Sequence, residues 1–96
     1  LINIFINMKL LVVIDMQKDF IDGSLGTPEA QAIVPNVIKK IKEFSGDMVY
    51  ATQDTHYATG EKAYEETLEG RKLPVRHCIE GADGWKIPKE IFEALV

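Results

Sequence analysis

Two aspartates and two histidines are the residues of this chain whose side chains could do chemistry together. Asp15 and Asp54 each stand at the end of an apolar run, His56 follows Asp54 by two positions, and His77 is the other histidine. A carboxylate in such a place can act as a general base, or it can simply accept hydrogen bonds from the following loop. Carboxylates and imidazoles are also ligands for zinc, iron or manganese. Position alone leaves open whether Asp15 is a base or a loop cap.

A strand–helix–strand unit is predicted to bring the two aspartates together. The run 10–14 is short, continuous and rich in β-branched residues, which is typical of a strand buried on both faces of a parallel sheet, and 48–52 is a second such run. Between them, apolar residues at helical spacing over 33–44 predict an amphipathic helix, with Pro35 in its first turn. Because ligands bind outside the carboxyl ends of the strands in open α/β sheets, both aspartates should face one crevice.

The second half of the chain has a less regular pattern. The segment 64–71 carries several carboxylates, and we expect most of it to be a hydrated surface turn. The alternative is that Tyr64, Glu66 or Glu69 reaches over the crevice and sets specificity. Pro88 is expected to open a last helix, since proline is well tolerated in a first turn.

Size and composition limit the partners of this chain. Its formal net charge of −4 provides no basic stripe, so no nucleic-acid partner is predicted. No stretch approaches the roughly 18 apolar residues that a spanning helix needs, so no membrane partner is predicted either. The single cysteine, Cys78, excludes an intramolecular disulfide and suits a reducing compartment. Residues 1–7 lack the features of a signal peptide, which favours a cytoplasmic protein.

The predicted elements form an incomplete layer of a parallel α/β fold. A sheet with helices on both faces needs more strands than two to cover its apolar surface. We therefore expect the isolated chain to bind hydrophobic dye and to lack a cooperative thermal transition. Met8 is interpreted as the natural start, with residues 1–7 either upstream or added for expression. Residues 8–96 are then the N-terminal part of a single domain that continues beyond Val96.

Three motifs lie in order between Met8 and Pro88. They are Val-Ile-Asp-Met-Gln-Lys-Asp-Phe at 13–20, Thr-Gln-Asp-Thr-His at 52–56, and Leu-Pro-Val-Arg-His-Cys-Ile-Glu-Gly at 73–81. Together they resemble the isochorismatase-like, nicotinamidase-related family of cysteine hydrolases. In that family an apolar strand precedes Asp-x-Gln-x-Asp-Phe, the second strand ends in Asp-x-His, and a Pro-x-His-Cys loop follows. The resemblance implies a three-layer α/β/α, Rossmann-like parallel sheet, of which this chain holds the N-terminal half.

The resemblance also implies the chemistry. The family's aspartate at the end of the first strand, here Asp15, takes the proton from a cysteine thiol that attacks a carbonyl, with a lysine nearby. That lysine and cysteine are expected beyond Val96, and Cys78 is interpreted as a small packing residue instead. Phe20 either packs locally or lines the substrate pocket. The substrate would be a small amide such as nicotinamide, or a related small molecule such as isochorismate, and the full-length protein would be a homo-oligomer.

A metal site is implied only in part. In the nicotinamidase branch an aspartate and three histidines hold the metal, and Asp54, His56 and His77 match three of these positions. Lys62 stands near the fourth, and a metal site should show its full ligand count. A divalent metal (zinc, iron or manganese) is one interpretation; the other is that both histidines bond loop backbone and shape the pocket. Asp19 is predicted to accept hydrogen bonds from loop amides rather than to take part in catalysis.

Two other functions stay open. A shortened α/β fold could bind a small molecule or a partner between Asp15 and Asp54 without catalysing a reaction. A phosphate-accepting receiver domain also has aspartates at its strand ends, but it would have paired acidic residues around the end of the first strand. The Asp-x-Gln-x-Asp-Phe and His-Cys motifs argue against the receiver.

Overall fold

Two parallel strands and four helices make up most of the regular structure in the computed structural model, which describes residues 8–96. The interpretation of residues 1–7 as upstream or added lies outside the described residues. Two single turns of 3-10 helix, Tyr64–Glu66 and Asp83–Trp85, complete the regular elements of this part of the chain. The strands and α-helices are β1 (Leu10–Val13), α1 (Lys18–Ile21), α2 (Pro28–Glu43), β2 (Met48–Ala51), α3 (Leu68–Lys72) and α4 (Lys89–Leu95).

The two strands pair in parallel, with Leu10 opposite Met48 and Val13 opposite Ala51. Because α2 connects them, they form the predicted strand–helix–strand unit, and the parallel α/β fold is confirmed. The prediction that both strands are buried on both faces is wrong for this chain. Val13 is buried, whereas Leu10 is about half exposed and every residue of β2 is exposed. A sheet of two strands has no further strand at either edge to cover these side chains.

Helix α2 begins earlier than its apolar pattern indicated. The Thr27 hydroxyl accepts a hydrogen bond from the Ala30 amide at 3.0 Å and caps the helix, and Pro28 occupies its first turn. The placement of Pro35 in the first turn is therefore wrong, since Pro35 lies inside the helix. A proline there has no N–H to give to the carbonyl of Gln31. The tolerance of this loss shows that tertiary packing holds the helix.

The core lies between α1, α2, α4 and the carboxyl end of β1. Its buried members are Val13, Ile21, Ile41 and Ile91, of which Ile91 is fully buried. Helix α4 begins directly after Pro88, as predicted, and packs on α2. Within residues 8–96 no helix is long and apolar enough to cross a membrane.

An open apolar groove runs between β1 and α2. Leu11, Val13, Met16, Ile33 and Val37 are among its lining residues. The groove and the exposed strand faces are the surfaces on which the dye-binding prediction depends.

Candidate metal centre

Four side chains from two loops and one helix converge on one point. Asp54, His56, Glu69 and His77 place their ligand atoms within 4.8 Å of one another. His56 Nε2 lies 3.0 Å from Asp54 Oδ2 and 3.1 Å from Glu69 Oε2. His77 Nε2 lies 3.5 Å from Asp54 Oδ2 and 3.7 Å from Glu69 Oε1. The three residues predicted from the sequence are thus brought together, and a second carboxylate joins them.

The chemistry of this donor set fits a divalent cation. His77 Nδ1 lies 2.8 Å from the Val75 carbonyl oxygen, which can only accept, so Nδ1 carries a proton and donates it. In the neutral imidazole Nε2 is then a bare lone pair, and it faces two carboxylates. A divalent cation bound among these atoms would accept their lone pairs as ligands, and the repulsion between the lone pairs would be removed. A backbone acceptor that fixes the other ring nitrogen is also the usual support for a histidine ligand.

The two histidine-bearing segments are held side by side by main-chain hydrogen bonds. The His56 amide donates to the Cys78 carbonyl at 2.9 Å, and the Glu80 amide donates to the His56 carbonyl at 2.8 Å. The imidazole rings consequently meet edge to face, with centroids 4.8 Å apart. This pairing joins the Asp-x-His motif to the His-Cys motif across the sequence, so the ligands are set by backbone structure and not by flexible side chains alone.

Glu69 supplies the carboxylate that the sequence analysis did not assign to the site. It lies in α3, whose first turn is capped by Thr67: the Thr67 hydroxyl accepts from the Gly70 amide at 3.0 Å. Gly70 packs so closely that a Cβ there would stand 1.8 Å from the Tyr64 carbonyl oxygen. Lys62, which stands near the expected fourth ligand in sequence, is exposed and outside the cluster.

The Tyr64 ring packs against both imidazoles. Its ring is 1% exposed and meets the His56 and His77 rings at centroid distances of 5.0 Å and 5.2 Å. Its hydroxyl donates to the Leu73 carbonyl. Burial, and then the Glu69 carboxylate, raise the pKa of the Tyr64 hydroxyl. Most of segment 64–71 is exposed, as expected, whereas Tyr64 is buried, because its ring packs on the histidines while its hydroxyl keeps a partner.

Asp19 and Cys78 form a structural link beside the site. Asp19 Oδ2 accepts from the Cys78 amide at 2.8 Å, and Oδ1 accepts from the Ser24 amide at 3.4 Å, which confirms the prediction for Asp19. Cys78 is fully buried, with a φ of 51°. Burial, and then the charge of Asp54, raise the pKa of its thiol to about 12. The full burial of Cys78 agrees with its predicted packing role, and a thiol that stays protonated is a poor nucleophile at neutral pH.

Asp15 stands at the end of β1 in the left-handed region, with a φ of 50°. Its amide donates to the Thr52 hydroxyl at 2.9 Å, and that hydroxyl donates to Asp15 Oδ1 at 2.7 Å. The carboxylate is therefore oriented by a residue of the neighbouring strand end, and Oδ2 has no part in this pair. Phe20 lies beside the metal-ligand cluster, its ring centroid 5.4 Å from that of His77.

Comparison with known proteins decides the family. The Isochorismatase domain model matches residues 9–93. This chain belongs to the isochorismatase family. The solved pyrazinamidase of Pyrococcus horikoshii in complex with zinc is similar in structure, with a TM-score of 0.64 and 31% sequence identity. The match covers 84% of this chain and 47% of the pyrazinamidase, so the chain spans about half the length of that neighbour. No curated protein matches the chain.

Family membership accounts for the order of the three sequence motifs. In this isochorismatase-family chain the first motif provides Asp15, the second provides Asp54 and His56, and the third provides His77. The structure brings the last three into one cluster. Glu69 lies outside all three motifs. Two features of the sequence could have indicated it as a ligand: the chain lacks a third histidine, and Glu69 stands in the first turn of a helix capped by Thr67.

Proposed function

We propose that this protein is a metal-dependent hydrolase of small amides, with Asp15 as its general base. The observation that carries the proposal is the cluster of two carboxylates and two imidazoles beside the strand ends. Two facts support it: the family of the chain, and the zinc in the similar pyrazinamidase. The substrate class is a small primary amide on a heteroaromatic ring, such as nicotinamide or pyrazinamide, as the name of that neighbour suggests.

The metal would be zinc, iron or manganese, held by Asp54, His56, Glu69 and His77. When bound, such a metal supplies a Lewis acid that holds a polar atom of the substrate. Tyr64 keeps water from the rear of the two imidazoles, since its ring covers both of them. Phe20, next to His77, offers an apolar surface for a flat substrate ring.

Asp15 would start the covalent step. Its Oδ1 is occupied by the Thr52 hydroxyl, which leaves Oδ2 to take the proton from a cysteine thiol. The thiolate attacks the amide carbonyl, the carbon–nitrogen bond breaks, and ammonia leaves with the proton that Asp15 held. Water then cleaves the thioester and releases the acid. We place this cysteine, and the lysine that stabilises the charged pair, beyond Val96; Cys78 does not replace the cysteine.

The test is ammonia release from nicotinamide and from pyrazinamide by the full-length polypeptide that contains this chain. Asp15→Asn keeps an acceptor for Thr52 but has no basic carboxylate, so we expect a loss of about 10²- to 10⁴-fold in turnover. Asp22→Asn, at an exposed aspartate, is the matched control and should retain full activity. The 96-residue chain alone should release no ammonia.

Two results would count against the proposal. Unchanged turnover in the Asp15→Asn protein would show that Asp15 is not the base. Binding of the amides without ammonia release, in the full-length protein loaded with zinc, would favour the non-catalytic binding module instead. We further expect the full-length protein to be a cytoplasmic homo-oligomer, which its mass in solution and its fractionation would test.

A further inference from the structure

Gln17 is a fully buried polar side chain that the mechanism above does not use. It lies between β1 and α1, and its exposure is 0%. Its Nε2 donates to the Asp54 carbonyl at 2.9 Å and to the Trp85 carbonyl at 2.8 Å. Its Oε1 accepts from the Asp54 amide at 2.9 Å. Both amide protons of the side chain are thus used, and two of its three bonds go to a single residue.

The two bonds to Asp54 fix the direction of its side chain. The amide N–H belongs to the peptide plane before Asp54, and the carbonyl belongs to the plane after it. When both planes are held, φ and ψ of Asp54 are held, and with them the direction of its Cα–Cβ bond. The carboxylate at the end of that bond is the one that lies between His56 and His77. Gln17 therefore acts on the cluster through the backbone, without touching it.

The same residue is also bonded to the strand end that carries the proposed base. The Gln17 amide donates to the Asp15 carbonyl at 2.9 Å. One residue consequently links the main chain of Asp15, the main chain of Asp54 and the turn that contains Trp85. A buried carboxamide is costly unless each polar group is paired, whereas an apolar side chain of the same length would fill this space at lower cost. The three paired groups are what the glutamine provides.

We propose that Gln17 is a positioning residue: it aims the Asp54 carboxylate at the histidines and sets its spacing from Asp15. The proposal rests on the proposed function, because it treats Asp54 as a metal ligand and Asp15 as the base. It differs from an ordinary structural role in one respect. A substitution of Gln17 should weaken metal binding by more than an equally destabilising substitution elsewhere in the core does.

The experiment titrates the full-length polypeptide that contains this chain with Co²⁺ and measures the dissociation constant by competition with a chelator, together with the visible d–d spectrum. Gln17→Met keeps the length and removes all three bonds; we expect about 10- to 100-fold weaker binding and an altered spectrum. Gln53→Met is the matched control, since Gln53 donates to the same Trp85 carbonyl at 3.2 Å without holding Asp54 through its side chain. Ile91→Ala destabilises the core and leaves the bonds of Gln17 in place. Both controls should bind Co²⁺ as the unchanged chain does.

A second measurement separates this proposal from the metal site itself. Hydrogen exchange at the Asp54 amide should be faster in Gln17→Met than in Ile91→Ala, because that amide loses its acceptor. If the unchanged chain does not bind Co²⁺, the proposed metal function fails, and the exchange result alone decides whether Gln17 positions Asp54. Should Gln17→Met not fold, Gln17→Glu retains an acceptor for the Asp54 amide and should bind Co²⁺ at least several-fold more weakly than the unchanged chain. Equal Co²⁺ affinity in a folded Gln17 variant, or equal exchange at Asp54 in Gln17→Met and Ile91→Ala, would overturn the proposal.

Discussion

Substitution of Gly70 by alanine sets helix propensity against packing at the metal centre. Gly70 lies in α3, directly after Glu69, and alanine in a helix is favoured over glycine by about 1 kcal/mol. Against this, an added Cβ would stand 1.8 Å from the Tyr64 carbonyl oxygen, where real Cβ atoms stay beyond 3.0 Å. The separation must therefore open by about 1.2 Å, the difference between those two distances, through movement of α3 or of the Tyr64 peptide.

A shift of that size is too large for a metal ligand. Coordination distances are held within about 0.2 Å, and Tyr64 cannot move aside because its ring is packed against both histidines. We expect Gly70→Ala to weaken metal binding by at least about tenfold, or about 1.4 kcal/mol, which exceeds the gain in helix propensity. The packing cost therefore exceeds the gain in helix propensity, and the net effect of Gly70→Ala on metal binding should be unfavourable.

The assay is the Zn²⁺ affinity of the full-length polypeptide that contains this chain, measured by chelator competition. Gly60→Ala is the control: it adds a methyl group with no neighbour within 4 Å, at a φ of 90°, so it strains the backbone far from the clash. Gly60→Ala should leave Zn²⁺ affinity unchanged. If Gly70→Ala binds Zn²⁺ as tightly as the unchanged chain, Glu69 is not held in the way described here.

Two further predictions concern Cys78 and the Glu65–Arg76 pair. Because burial keeps the Cys78 thiol protonated, with a pKa of about 12, iodoacetamide should label it only after denaturation. Cys78→Ala should retain the turnover of the full-length protein. Rapid labelling of the native thiol would contradict this prediction. Hydrogen bonds from Arg76 lower the pKa of the Glu65 carboxyl from 4.5 to about 2. The stability that this pair contributes is therefore present above pH 4.5 and is lost as the pH falls toward 2. Glu65→Gln should remove that part of the acid sensitivity, followed by Trp85 fluorescence; an unchanged acid titration would contradict it.

The sequence predicted the elements whose signal is local. The β-branched runs marked both strands, and the ordered motifs placed Asp54, His56 and His77 in one site. Their convergence could be predicted because all three match ligand positions of the family that the motifs resemble. Burial of the strands could not, because it depends on neighbours that two strands do not provide.

Glu69 was named only as an alternative that could reach over the crevice, and not as a metal ligand, because its place in the site depends on tertiary packing. Tyr64 fills the space behind the two imidazoles, and the Thr67 cap and the Gly70 contact then turn α3 so that Glu69 faces them. A run of carboxylates has the same composition whether it is hydrated or inward-facing. The predicted start of α2 was wrong for a different reason. The prediction followed the apolar periodicity, which begins at residue 33, whereas the helix is capped at Thr27 and begins at Pro28.

The central claim is that four side chains hold one divalent metal. Equilibrium dialysis of the full-length polypeptide that contains this chain against Zn²⁺, followed by elemental analysis, measures it directly. We expect one zinc per chain, a large loss of bound zinc in His77→Ala and in Glu69→Ala, and no loss in the neighbouring Glu66→Ala, whose side chain lies outside the cluster. Absence of bound zinc in the unchanged chain, or equal zinc in all three variants, would contradict the account.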